Sequence, residues 1–193
     1  MMRRLPLLVP LLVLMLAAAC GGGQTDSAAV PKPVAYPRVD VPDSAYTGVD
    51  APGVTLRVNE SADVNVSPSA DGAWVDIGYG TFGAPRVYLT LTRCGAGGMD
   101  EVMANRRERM GLNLGGQRYE LVELTTPRGW QCEMAVARGS LTTPVQILAH
   151  NDRDVLSGAA VVAYPDSLPP DPVALAPVVD FLARDMLVML TNL

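Results

Sequence analysis

Val145-Gln146-Ile147-Leu148-Ala149, the turn Asn151-Asp152, and the run Val155-Leu156-Ser157-Gly158-Ala159-Ala160-Val161-Val162-Ala163-Tyr164 decide the fold of this chain. Alternation with a period of two in the first segment is the mark of a strand with one buried face. The second segment is more continuously apolar and reads as a central strand. Two strands joined through a short polar turn form an antiparallel hairpin. Upstream, Tyr119 to Thr125 and Trp130 to Val136 alternate in the same way, with Pro127-Arg128-Gly129 between them, so the last four strands form hairpins in sequence order.

Further upstream, Val54, Leu56 and Val58 alternate with polar neighbours, as do Val75, Ile77 and Tyr79. Val87, Leu89 and Leu91 stand against Tyr88, Thr90 and Thr92. Two helices interrupt the strands. Met99 to Met110 brings Met99, Val102, Met103 and Met110 towards one face, with Gly111 as its stop. Asp100 and Glu101 suit its first turn, where carboxylates complement the dipole. At the end of the chain, Leu175, Val178, Leu182, Met186, Met189 and Leu193 recur at helical spacing behind Asp171 and Pro172, an N-cap and a first-turn proline. Pro177 places the start of its regular part near Ala176. Asp180 and Asp185 read as its exposed side. The order of elements predicts an α+β fold, an antiparallel sheet with two packing helices.

Ahead of this domain, Arg3 and Arg4 precede an apolar stretch, Leu5 to Leu16, and Ala17-Ala18-Ala19 lead into Cys20. This is a secretory signal rather than a membrane span, being short and carrying Pro6 and Pro10. Small residues before a cysteine resemble a bacterial lipobox, so Cys20 is the expected lipidation site. The organisation that follows is a lipoprotein signal over residues 1–19, a Gly- and Pro-rich tether over 20–35, and one globular domain over 36–193. The 193 residues hold 15 Lys plus Arg against 20 Asp plus Glu, a net charge of −5. Without residues 1–19 the balance is 13 against 20, or −7. An acidic chain with few aromatics argues against nucleic-acid binding.

The chemical motifs are sparse. Gly78-Tyr79-Gly80-Thr81-Phe82-Gly83 matches a dinucleotide fingerprint by letter, but Ala84-Pro85 leads into a strand where the fingerprint needs a helix. It reads as a connection between strands. His150 is the single histidine, and parity sets it with Gln146. Ser140 or Ser157 with His150 and Asp152 can be drawn as a triad, yet Gly139-Ser140-Leu141 is no nucleophile elbow. No catalytic residue, cofactor site or metal site is therefore assigned. Cys94 and Cys132 are the thiols left after lipidation and, in an oxidising periplasm, the expected disulfide. Cys132 shares strand parity with Trp130, Met134 and Val136 and points into the core. Arg106, Arg107 and Arg109 form a basic cluster that meets an acidic partner or lipid headgroup, or is a solvated helix face.

The lipidation cysteine, the segment Pro31-Lys32-Pro33-Val34-Ala35-Tyr36-Pro37-Arg38-Val39-Asp40-Val41-Pro42, and the core of the last helix, Ala176-Pro177-Val178-Val179-Asp180-Phe181-Leu182-Ala183-Arg184-Asp185-Met186, resemble the gliding motility lipoproteins of the D type found in Bacteroidota. Ser157 to Tyr164 resembles the penultimate segment of that family. The resemblance implies a non-enzymatic lipoprotein of the cell envelope that acts through protein contacts in gliding or in the associated type IX secretion machinery. Its place would be the outer membrane, facing the periplasm. The order of elements also resembles the Mog1 and PsbP type of α/β/α sandwich, a fold used for partner binding. The alternative is a small periplasmic hydrolase or ligand-binding lipoprotein acting on envelope material.

Overall fold

The computed structural model describes residues 40, 42–81, 83–95, 97–163 and 171–193. The signal, the tether and Cys20 lie outside the described residues. Nine strands and two helices are present among those described: β1 (Tyr46–Ala51), β2 (Val54–Asn59), β3 (Asp63–Ser69), β4 (Gly72–Gly78), β5 (Arg86–Arg93), α1 (Met99–Leu114), β6 (Glu120–Thr125), β7 (Gln131–Val136), β8 (Val145–His150), β9 (Asp154–Val161) and α2 (Pro172–Thr191). The fold is α+β.

Seven strands make one sheet in the order β3-β4-β5-β9-β8-β7-β6, with every neighbouring pair antiparallel. The run opening at Asp154 is the middle strand of this sheet, and β6 to β9 follow one another as successive hairpins. β1 and β2 pair separately as a hairpin across Pro52-Gly53, where Gly53 adopts φ 90°. A turn with proline followed by a residue at positive φ calls for glycine at the second place.

The two faces of the sheet are unequally filled. α2 lies on one face, where Leu175, Leu182 and Met186 meet Ile147, Leu156 and Leu89 in the main core. Leu56 and Val58 of the β1–β2 hairpin join the same cluster, packed beside α2. α1 lies over β8 and β9 on the other face, where Met103 packs against Leu148 and Val155, and Leu114 against Ala135 and Ala137. Burial of apolar area stabilises at roughly 25 cal/mol per Å², so the α2 face supplies most of the hydrophobic stability.

Four sequence-based expectations are corrected. α1 passes Gly111 and ends at Leu114, capped by Gly115 in the left-handed region, because Leu114 has a buried site to fill. α2 begins at Pro172 with Pro177 inside it. The bond Pro177 cannot make would go to the Val173 carbonyl, and both residues are exposed, so water can reach the freed group. Asp171 is the N-cap as expected, its Oδ1 accepting from the Val173 N–H at 2.8 Å. Asp185 is buried rather than exposed, because α2 packs on the β1–β2 hairpin as well as on the sheet and so hides a wider stripe. Finally, β1 and β3 join the strands read from alternation.

Candidate functional site

The glycine-rich connection 78–83 joins β4 to β5, as its context indicated. Tyr79 N–H donates to the Pro85 carbonyl at 3.0 Å and Ala84 N–H to that of Thr81 at 2.9 Å. Gly83 has φ 79°, and a Cβ there would stand 2.7 Å from Val162 Cγ1. Glycine is thus required for close packing, with no helix following.

Ser140 lies in the turn that precedes β8 and His150 is the last residue of that strand, which spans roughly 17 Å. The buried Ser140 Oγ accepts from the Thr142 and Thr143 N–H groups at 3.4 and 3.1 Å, closing a surface turn. Ser157 shares a face with His150, but Ser157 is the register partner of Leu148 and His150 that of Val155. Asp152 lies exposed in the β8–β9 turn, while Asn151 Oδ1 accepts from the Arg153 and Asp154 N–H groups, both at 2.8 Å. Among the described residues no hydrogen bond joins the members of the drawn triad.

Cys94 and Cys132 are not brought together. Both are free thiols. Cys132 belongs to the main core on the α2 face, whereas Cys94 packs on the cluster of Met103, Leu148 and Val155 on the α1 face. Cys132 lies on β7 and Cys94 just past β5, with β8 and β9 between. Three strand spacings of about 4.8 Å exceed the reach of about 7 Å between bridged Cα atoms. Burial pushes the Cys132 thiol up to about 11, and burial followed by the charge of Asp154 raises that of Cys94.

A polar cluster sits where α2 meets the β1–β2 hairpin. Asp185 Oδ1 accepts from the Tyr46 hydroxyl at 2.7 Å and from Arg184 Nε at 3.4 Å, while Oδ2 is buried with no hydrogen-bond partner among the described residues. Burial raises the Asp185 carboxyl above its ordinary value against the opposing pull of Tyr46 and Arg184. Tyr79 is raised by burial and then by the Asp185 charge, and its ring meets Phe181 edge-on at 4.7 Å. Asn59 Nδ2 donates to the Asp43 carbonyl at 2.7 Å and Arg184 Nη2 to that of Pro42 at 3.3 Å. These bonds hold the chain where it enters the domain.

The surface best suited to recognition lies on the other face of the sheet. α1 covers β8 and β9 and reaches β5 only at its edge, through Arg106, leaving β3, β4 and the Tyr88 end of β5 open there. Trp74 and Tyr88 project from that open half and are 56% and 48% exposed. Trp74 pairs with Thr90 and Asp76 with Tyr88, so the two rings are diagonal neighbours, a spacing of about 7–8 Å. Asn65, Ser67, Asp76 and Thr90 surround them. Arg86 grips Asp76 through two bonds, Nη2 to Oδ2 at 2.6 Å and Nε to Oδ1 at 3.1 Å.

Next to this surface, Thr90, Arg106, Arg109, Asn113 and Ser157 line a groove of about 140 Å³ between α1 and the β5–β9 pair. Of the basic cluster, Arg107 turns away to Glu133 at 2.7 Å. Arg106 Nη2 donates to Thr92 Oγ1 at 3.3 Å. Burial, and then the like charge of Arg109, pull Arg106 below its ordinary value.

No family model, curated protein or solved structure matches the chain. None of the described helices is long and apolar enough to cross a membrane. The described residues hold no group of three His, Cys, Asp or Glu placed for a metal ion. Trp74 and Tyr88 were legible as outward-facing from strand parity. That the sheet face beneath them stays uncovered depends on where α1 lands, and alternation carries no record of that.

Proposed function

We propose that this chain is a lipid-anchored cell-envelope protein that works by binding rather than by catalysis, with the open half-sheet around Trp74 and Tyr88 as its contact face. The observation carrying this reading is the pair of aromatic side chains exposed together on a rigid antiparallel surface with a polar surround. Such rings offer large contact area at small conformational cost, and interface hot spots are rich in them. Interfaces also combine an apolar centre with a polar rim.

The anchor is Cys20, and the location proposed is the outer membrane, facing the periplasm. Resemblance at the two ends of the chain to the D-type gliding motility lipoproteins suggests partners in the motility or type IX secretion machinery. Helices on both faces of one antiparallel sheet also suit an α/β/α sandwich of the Mog1 and PsbP type. Anchoring would raise the effective concentration of the contact face near other envelope components.

Cross-linking capture from native membranes, read by mass spectrometry, tests this. The wild-type chain should recover motility or secretion components. Cys20→Ala and the paired change Trp74→Ala with Tyr88→Ala should each reduce recovery at least tenfold. Equal recovery by the paired variant would remove the half-sheet as the contact face. Recovery of no envelope component by the wild type would overturn the assembly reading.

A further inference from the structure

The groove beside α1 has an unusual charge inventory. Two carboxylates on this face of the sheet are engaged by other arginines, Asp76 by Arg86 and Glu133 by Arg107. Arg106 and Arg109 are left over, with no ion pair to either among the described residues. The helix does not supply one: the positions three and four residues away are Val102, Met103 and Met110 for Arg106, and Asn105, Leu112 and Asn113 for Arg109. Like charges one turn apart disfavour a helix. Both nevertheless line one groove.

Opposite the arginines, the groove presents neutral donors. Thr90 and Ser157 are register partners on β5 and β9, and neither hydroxyl has a hydrogen-bond partner among the described residues. Asn113 Nδ2 uses one hydrogen on Gln146 Oε1 at 3.1 Å and keeps a second. No carboxylate lines the groove. Its volume of about 140 Å³ is close to the roughly 150 Å³ cavity known to hold benzene, a molecule of six heavy atoms. It is well below the roughly 300–1,000 Å³ of sites for larger ligands. A tetrahedral oxyanion of five heavy atoms fits.

We propose that this groove is an oxyanion site that takes a phosphate group between Arg106 and Arg109, with Thr90, Ser157 and Asn113 donating to its remaining oxygens. Guanidinium groups bind phosphate through charge-assisted, paired hydrogen bonds. The phosphate is either free, including as a small soluble ester, or the headgroup of a lipid in the membrane to which the chain is anchored. The groove shares Thr90 with the polar surround of the contact face, but Arg106 and Arg109 belong to the groove alone, so loss of phosphate binding in their variants is distinguishable from loss of the contact face.

The test uses the mature chain, residues 20–193, carrying Cys20→Ala, so that neither the apolar signal nor a lipid anchors it. Inorganic phosphate is titrated calorimetrically and by thermal unfolding, against chloride at equal ionic strength. Binding should be saturable, and at least tenfold weaker in Arg106→Ala with Arg109→Ala. Arg107→Ala should bind as the parent does. The single change Arg109→Ala, at an exposed position, serves if the paired variant does not fold. Equal binding by all variants, or no saturable binding by the parent, overturns the site. Vesicles of phosphatidylcholine with and without phosphatidic acid then separate the sources. Arginine-dependent flotation only with phosphatidic acid assigns a lipid headgroup, and phosphate binding without flotation assigns a soluble phosphate.

Discussion

The Tyr46 hydroxyl donates to Asp185 Oδ1 at 2.7 Å, joining β1 to α2 across 139 residues of chain. The other carboxylate oxygen, Oδ2, is buried and unpartnered. Desolvation outweighs the help of Tyr46 and Arg184, so the folded-state carboxyl titrates above its ordinary value. A raised acid binds more protons when folded than when unfolded, and stability then falls as pH rises. Its favourable contribution is complete below about pH 4, the ordinary range of an aspartate, and is lost as pH climbs through the raised folded value. Asp185→Asn should therefore stabilise the protein at pH 7 by about 1–3 kcal/mol, the usual penalty of an unsatisfied buried group. Unfolding by denaturant at pH 7 and pH 3.5 checks this, and the advantage should vanish at the lower pH.

Tyr46→Phe acts in the opposite direction. It removes a donor to a charged acceptor, a bond worth about 1.5–3 kcal/mol. The loss should be largest at neutral pH and smaller once Asp185 is protonated. A loss that does not vary with pH would place the effect in packing of the ring instead.

The two sides of the sheet should differ in their response to truncation. Leu182 and Leu156 are fully buried in the main core, whereas Met103 belongs to a small cluster beneath α1. Leu182→Ala and Leu156→Ala should each cost about 3–5 kcal/mol, and Met103→Ala about 2 kcal/mol. Denaturation midpoints at constant slope measure the difference.

Thiol chemistry offers a check on the separation of the cysteines. Cys132 is 2% exposed, and burial pushes it up to about 11, while Cys94 is half-buried. The thiolate is the reactive form. At pH 8 an alkylating reagent should modify Cys94 at least tenfold faster than Cys132, and Cys132 should react at a comparable rate only in denaturant. Peptide mapping would read both, and a Cys94–Cys132 bridged peptide would overturn the arrangement.

Much of the fold was legible because single residues settled it. Val145, Ile147 and Ala149 alternate cleanly, and the run from Val155 is apolar on both faces, as the middle of a sheet covered on both sides demands. β3 escaped because it is an edge strand whose valines are half-buried and which carries Pro68, tolerated only where a ladder donor is unneeded. Asp185 was misplaced because helical spacing finds the stripe facing the sheet and knows nothing of a second neighbour, the β1–β2 hairpin. The oxyanion groove was half legible. Arg106 and Arg109 are conspicuous in the sequence, but their meeting with Thr90 and Ser157 needs strands from distant parts of the chain.

The order β3-β4-β5-β9-β8-β7-β6 is two meanders laid edge to edge, and only the pairing of β5 with β9 joins them. Every other sheet pairing links strands adjacent in sequence, whereas Arg93 meets Asp154 across 61 residues. Local pairings close cheaply and distant ones late. Each meander can thus zip on its own, with this junction the last part of the sheet to knit. Thr90 and Ser157 straddle it, so whatever binds between them acts as a clasp across the two halves of the domain.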